Sequence, residues 1–254
     1  MARSDDPQWP APAGTHDSPR TAFSLGIIQF MSDVPSFKAP TISMAHSSAR
    51  FPVRRIFCVG QNYADHAREM GSDPNRQPPF FFSKPADAVV DSGLHLPFPS
   101  RTADLQHEVE LVVALGGGGV DVKPADVPSI IFGYAVGIDL TRRDLQAEAK
   151  KAGRPWDMSK GFDRSAPIGP MTRGIPPHAG AITLSIDGQV RQAGNLEDMI
   201  WSVADIIALL STYVAVAAGD LIFTGTPAGV GPIRRGERVQ GAIAGIDPVE
   251  VTFD

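Results

Sequence analysis

The run His107-Glu108-Val109-Glu110-Leu111-Val112-Val113-Ala114-Leu115 constrains this chain more than any other stretch, because it alternates like a strand and carries two acids on one side. A two-residue period places Val109, Leu111, Val113 and Leu115 on one face and Glu108, Glu110, Val112 and Ala114 on the other. Both carboxylates therefore point the same way, where hard oxygen donors can share a divalent cation. The competing reading is that the acids simply occupy the wet side of a half-buried strand.

Short elements punctuated by turns surround this strand. Ile56 to Val59, stopped by Gly60, reads as a buried strand, and Tyr63 to Met70 as a short helix. Ile130 to Ile138 is a further apolar strand, and Arg142 to Lys151 a short helix closed by Gly153. Ile182, Leu184 and Ile186 alternate up to Asp187-Gly188, a hairpin signal that joins them to Gln189 to Gln192. The spacing of Ile200, Val203, Ile207 and Leu210 predicts a helix beginning from a cap at Asn195. Leu221 to Thr224 and Val249 to Phe253 add two strands. With 25 glycines and 23 prolines breaking up the chain, this is an α+β, mostly β domain rather than a regular βαβ alternation. Residues 1–50, rich in Ser and Pro and without a sustained apolar period, are expected to be a partly disordered tail, and residues 51–254 the catalytic domain.

Charge and apolar patterning remove several function classes. A net charge of −5 and a pI near 5.7 do not provide the basic stripe that nucleic-acid backbones require. The apolar run Ile206 to Ala218 is too short to cross a bilayer and is interrupted by Ser211 and Thr212. Cys58 is the single cysteine, so no intrachain disulfide forms, and a cytoplasmic location is expected.

Asp139 ends an apolar strand, where an ionised side chain must be capped, paired or coordinated. It is a third candidate metal ligand beside Glu108 and Glu110, or else a cap for the following helix. Three carboxylates with water and substrate oxygens suit Mg²⁺ or Mn²⁺ better than zinc. His66 and Glu69 share one helical face at i,i+3, the arrangement of an acid–base dyad and equally of an ordinary surface pair. Lys160 sits among Trp156 and Phe162, where shielding would strengthen its charge, although most lysines are solvated. The glycine-rich run 224–231 can present backbone N–H groups or a threonine hydroxyl, yet it lacks the Lys-Ser/Thr ending of a phosphate loop.

Taken in order, these segments resemble the fumarylacetoacetate hydrolase family from about Arg54 to the C-terminus. The resemblance rests on Gly60-Gln61-Asn62-Tyr63 with His66 and Glu69, Phe82-Ser83-Lys84-Pro85, His107-Glu108-Val109-Glu110-Leu111, Gly133-Tyr134 leading to Asp139, Arg143-Asp144-Leu145-Gln146, Lys160-Gly161-Phe162-Asp163, Gly169-Pro170 and the run from Thr224 to Gly231. It implies a mixed β-sandwich roll with a few short helices, a homodimer, and Mg²⁺ or Mn²⁺ on Glu108, Glu110 and Asp139. It also implies a water-activating pair in His66 and Glu69, a charge stabiliser in Lys160, and substrate contacts from Arg143, Gln146 and Thr226. Within the compact branch, the stretches Arg68-Glu69-Met70-Gly71 and Pro78 to Val89 are most similar to hydrolases of fumarylpyruvate in gentisate-type aromatic catabolism, while Gln61 stands where such members often carry arginine. The implied reaction is cleavage of a 3-acylpyruvate. Oxaloacetate decarboxylation or another acylpyruvase activity is the rival chemistry, and non-catalytic keto-acid binding the rival of a different class.

Overall fold

The computed structural model describes residues 36–71 and 78–254. Residues 1–35 of the expected tail, and so most of it, lie outside the described residues. Residues 39–254 form one compact unit. Thr41–Ser43 pairs antiparallel with Arg50–Pro52, and Ile42 and Phe51 turn inward.

Val109–Leu115 runs through the middle of the largest sheet, between Asp220–Phe223 on one side and Ile131–Ile138 on the other. Arg55–Gly60 and Phe80–Lys84 extend one flank, and Ala166–Ile168 and Val89–Asp91 the other. A five-stranded sheet, built around Ala181–Ile186, Arg238–Ile243 and Ile246–Phe253, lies against its inner face. Val109, Leu111, Val113 and Leu115 pack there with Ile182, Leu184, Val239 and Val251, each such side chain contributing roughly 1.5–3 kcal/mol by leaving water. The result is a strand-rich α+β sandwich with few, short helices.

The opposite face of Val109–Leu115 is dry as well. Val112 and Ala114 join a second cluster with Ile42, Phe51 and Val53, so the strand has no wet side and the solvated reading of Glu108 and Glu110 is excluded. Their exposures are 6 % and 2 %.

Asp187 and Gly188 both have positive φ, 49° and 80°, as the tight turn between Ala181–Ile186 and Gln189–Asn195 requires. Gly153 closes the helix Arg143–Ala152 in the left-handed conformation. The helix expected from Asn195 is two elements. Asn195 caps a 3₁₀ turn, Leu196–Asp198, while the α-helix Val203–Tyr213 starts from its own capping box on Ser202 and Asp205. The intervening backbone cannot coil because Asn62 holds it: Ile200 N–H donates to Asn62 O at 2.8 Å and Trp201 N–H to Asn62 Oδ1 at 2.7 Å.

Candidate active site

Strand register brings the three acids together. Val109 opposes Ile138 and Glu110 opposes Gly137, and one rung further the Asp139 N–H donates to Glu108 O at 2.8 Å. Directly opposed residues of an antiparallel pair share a face, so Glu108, Asp139 and Glu110 converge, and Gly137 puts no side chain across from Glu110. One carboxylate oxygen from each residue lies within 4.8 Å of the others, and all three residues are buried. Asp139 caps no helix: the helix that follows has Arg142 at its N-cap position and no side-chain cap bond.

Three cations surround the acids. Lys160 Nζ lies 2.8 Å from both Glu108 Oε2 and Asp139 Oδ2, and Arg143 meets the other oxygen of Glu108. Lys84 Nζ stands 2.8 Å from Asp139 Oδ1 as an ion pair, without hydrogen-bond alignment. Burial works to raise the Glu108 carboxyl, but Lys160 and Arg143 outweigh it and hold the group well below the usual carboxylate range. Burial likewise lowers the Lys160 ammonium, and the carboxylates of Asp139 and Glu108 more than reverse this.

Glu110 differs. It accepts from the Gly225 N–H at 2.7 Å and, among the described residues, forms no salt bridge. Burial, then the charges of Asp139 and Glu108, push its pKa well above the ordinary value. A buried carboxylate beside two others, with no ion pair of its own among the described residues and one oxygen of each acid within 4.8 Å of the others, is a setting a hard divalent cation fits. Gly225 reaches Glu110 at φ +99°, and a Cβ there would lie 2.7 Å from Asn62 Cβ, so the glycine-rich run presents its N–H groups to the protein's own carboxylates.

The helix Ala64–Glu69 carries His66 and Glu69, with Nδ1 and Oε2 3.2 Å apart. The Gly229 N–H donates to Glu69 at 3.3 Å from the same glycine-rich loop. With Nδ1 donating to Glu69, Nε2 keeps the lone pair needed to accept a proton. His66 is 5 % exposed.

Seven of the nine expected residues line one cleft. Glu69 stands behind His66, and Asp139 behind Lys160. Arg143 donates to Gln146 Oε1 at 2.6 Å and to Gln106 Oε1 at 2.7 Å, while Thr226 Oγ1 accepts from Gln192 Nε2 at 2.8 Å. Gln61, also on the cleft wall, adopts φ +60° without being glycine, a strained conformation at a site of expected chemistry. Lys160 lies 5.0 Å from the Phe82 ring centroid, so a strand aromatic outside the segment 156–163 shields it.

Sequence reasoning gave no role to Lys84, Gln192 or Asn62, all buried. A lysine inside the aromatic strand Phe80–Lys84 was the one available signal, since a charge there needs a partner.

The strand-rich sandwich brings together three buried carboxylates that could hold a metal ion, and sets two of them on the wall of the cleft that His66 also lines. The family model described as Fumarylacetoacetate (FAA) hydrolase C-terminal matches residues 55–254, and the chain belongs to that family. It is 41 % identical over 183 residues to a fumarylpyruvate hydrolase of a Ralstonia species, covering 71 % of this chain and 95 % of that protein. It is 39 % identical over 208 residues to an oxaloacetate tautomerase of Escherichia coli, covering 80 % and 90 %. The crystal structure of fumarylpyruvate hydrolase from Pseudomonas aeruginosa in complex with Mn²⁺ and pyruvate superposes with a TM-score of 0.84 at 49 % identity, covering 87 % of this chain and 98 % of that one.

Proposed function

We propose that the chain is a divalent-metal-dependent hydrolase that cleaves the carbon–carbon bond of a 3-acylpyruvate, with fumarylpyruvate, giving fumarate and pyruvate, as the substrate it fits best. The observation that carries this reading is the convergence of Glu108, Glu110 and Asp139, with Glu110 held by a backbone N–H and no ion pair among the described residues, beside the cleft that His66 lines. Similarity to a protein solved with Mn²⁺ and pyruvate supports it.

Glu108, Glu110 and Asp139 would hold Mg²⁺ or Mn²⁺, which when bound supplies Lewis-acid polarisation of the oxo-acid end of the substrate. The residues of the chain do the rest. Arg143, Gln146 and Thr226 orient the oxo and carboxylate oxygens in the cleft. His66 Nε2, backed by Glu69, takes a proton from water, and the hydroxide adds to the distal acyl carbonyl. Lys160 has three N–H donors and uses two on Glu108 and Asp139, leaving one for the oxyanion. The carbon–carbon bond then breaks, its electron pair passes to the pyruvate enolate, and the enolate takes back a proton at carbon. The reading brings with it a homodimer and a cytoplasmic location, in keeping with the lone, buried Cys58; among the described residues no helix is long and apolar enough to cross a membrane.

Oxaloacetate tautomerisation is the second reading, favoured by the tautomerase relative at nearly the same identity. It needs the same base to move a proton at carbon, without water or bond cleavage. The test is kcat/KM on fumarylpyruvate, acetylpyruvate and both tautomers of oxaloacetate with Mg²⁺ and Mn²⁺, followed by loss of the conjugated enol. Release of pyruvate from an acylpyruvate supports the hydrolase, and proton exchange on oxaloacetate with no pyruvate release from any substrate overturns it.

A further inference from the structure

Beyond the carboxylate cluster the cleft changes character. Its outer half is walled by Met70, Phe80 and Trp156, and Lys150 reaches into it. Phe80 lies directly over Gly60, where any side chain would collide with its ring, and it meets Trp156 edge-on at 5.5 Å. The two rings, nearly perpendicular at 82°, make an apolar corner against one face of which a planar, unsaturated chain can lie. Lys150 Nζ sits 5.0 Å from the Trp156 ring centroid. Among the described residues it forms no salt bridge, unlike Lys84, Arg143 and Lys160, each of which is matched to an acid of the cluster.

The spacing is that of a ruler. Arg143, Gln146 and Lys150 recur at i, i+3 and i+7 along the helix Arg143–Ala152, so they share one face. Arg143 marks the inner end by touching Glu108, and seven residues of helix carry the chain about 10 Å outward to Lys150. The two terminal carbons of an extended seven-carbon dicarboxylate lie ~8 Å apart from ordinary bond lengths, which the reach of the two side chains accommodates.

We propose that Lys150 is the outer half of the substrate site: it receives a second carboxylate at the far end of the acyl chain, so the cleft selects oxo acids that are dicarboxylates over those ending in a methyl group. Lys150 is exposed at the mouth of the cleft, in contact with an indole on one side and without an acidic partner among the described residues, so its ammonium is open to an anionic group. The subsite rests on the reading of this cleft as an oxo-acid site, not on which bond is subsequently cleaved.

The test uses the Mn²⁺-loaded protein, wild type, Lys150→Met and Lys150→Arg. Calorimetric binding is compared for 2-oxoadipate and 2-oxohexanoate, which differ in carrying one or no distal carboxylate. The wild type is expected to prefer 2-oxoadipate by about tenfold, the scale of one charge-assisted contact. Lys150→Met should abolish that preference while leaving 2-oxohexanoate affinity unchanged, and Lys150→Arg should retain most of it. In turnover, Lys150→Met should raise KM for fumarylpyruvate and leave acetylpyruvate untouched. Equal wild-type affinity for the two ligands, or an undiminished preference in Lys150→Met, overturns the subsite. A wild type that keeps the binding preference yet cleaves no acylpyruvate overturns the hydrolase reading and supports the subsite.

Discussion

Lys84 closes on Asp139 from the side away from the cleft, its Nζ 2.8 Å from Oδ1 with both side chains wholly out of solvent. It also donates to the backbone oxygens of Leu140 and Lys160, tying the strand Phe80–Lys84 to the two segments that flank the acidic cluster. Removing this ammonium would leave Asp139 with Lys160 as its one remaining cation. Lys84→Met should therefore cost about 3–5 kcal/mol, as for other buried pairs broken from one side. Urea denaturation of the metal-free protein measures it, and a midpoint equal to wild type would show that the pair carries no such weight.

Glu110 predicts a pH dependence with a definite sign. Its folded pKa lies above the unfolded value because of burial and the neighbouring acids. Its contribution to stability is therefore complete below the ordinary carboxylate range and lost as pH climbs through the raised value. Metal binding needs the deprotonated form and gains over the same window. The thermal shift produced by Mn²⁺ should accordingly grow as pH rises above the ordinary carboxylate range, and Glu110→Gln should flatten both the metal-free decline and the Mn²⁺ gain. A shift independent of pH in the wild type would contradict this.

Glu108 and Glu110 were legible on one face because a strand's alternation is local, and Asp139 as a charge ending an apolar strand; their opposition comes from the register of the folded sheet, which no tight turn between the two strands announces. The Asp187-Gly188 hairpin and the Gly153 stop are similarly local, since their backbone conformations are set by the residues themselves. Three further things were not legible, each for a non-local reason. The dry second face of Val109–Leu115 depends on Ile42, from the stretch that reads as tail, packed with Phe51 at the start of the expected domain. The helix starts at Ser202 because Asn62, distant in sequence, holds Ile200 and Trp201 extended. Arg238–Ile243, a central strand of the smaller sheet, is interrupted by Gly241, which lets the two sheets approach: a Cβ there would lie 2.9 Å from Val109.

Gln192 yields a prediction that separates positioning from packing. Its amide makes four buried hydrogen bonds, from His107 Nδ1 and Val109 N–H to Oε1 and from Nε2 to Thr226 Oγ1 and Pro227 O. Because Thr226 Oγ1 is the acceptor in this pair, its own hydrogen is left to donate into the cleft. Gln192→Leu should cost roughly 1–3 kcal/mol through the unpaired groups. It should also lower kcat/KM, while Thr226→Ala in the same background adds little further. Full additivity of the two substitutions in kcat/KM would rule out a role of Gln192 through Thr226.

The His66–Glu69 pair decides whether the cleft has a working base. Glu69→Gln keeps the side chain's volume and can still accept from both His66 Nδ1 and the Gly229 N–H, so helix and loop should stay in place and stability should change little. What is lost is the negative charge that favours a proton on the imidazole at the moment it leaves water. The variant should lower kcat by about 10²–10⁴-fold with Mn²⁺ affinity unchanged, since Glu69 is not among the three clustered acids. His66→Ala should fall to the same level, and the double variant no further, because the two residues act as one unit. Pre-steady-state measurement with fumarylpyruvate locates the loss in the chemical step. If Glu69→Gln instead retained full kcat and lost metal, Glu69 would belong to the cation site, and the base would have to be sought elsewhere in the cleft.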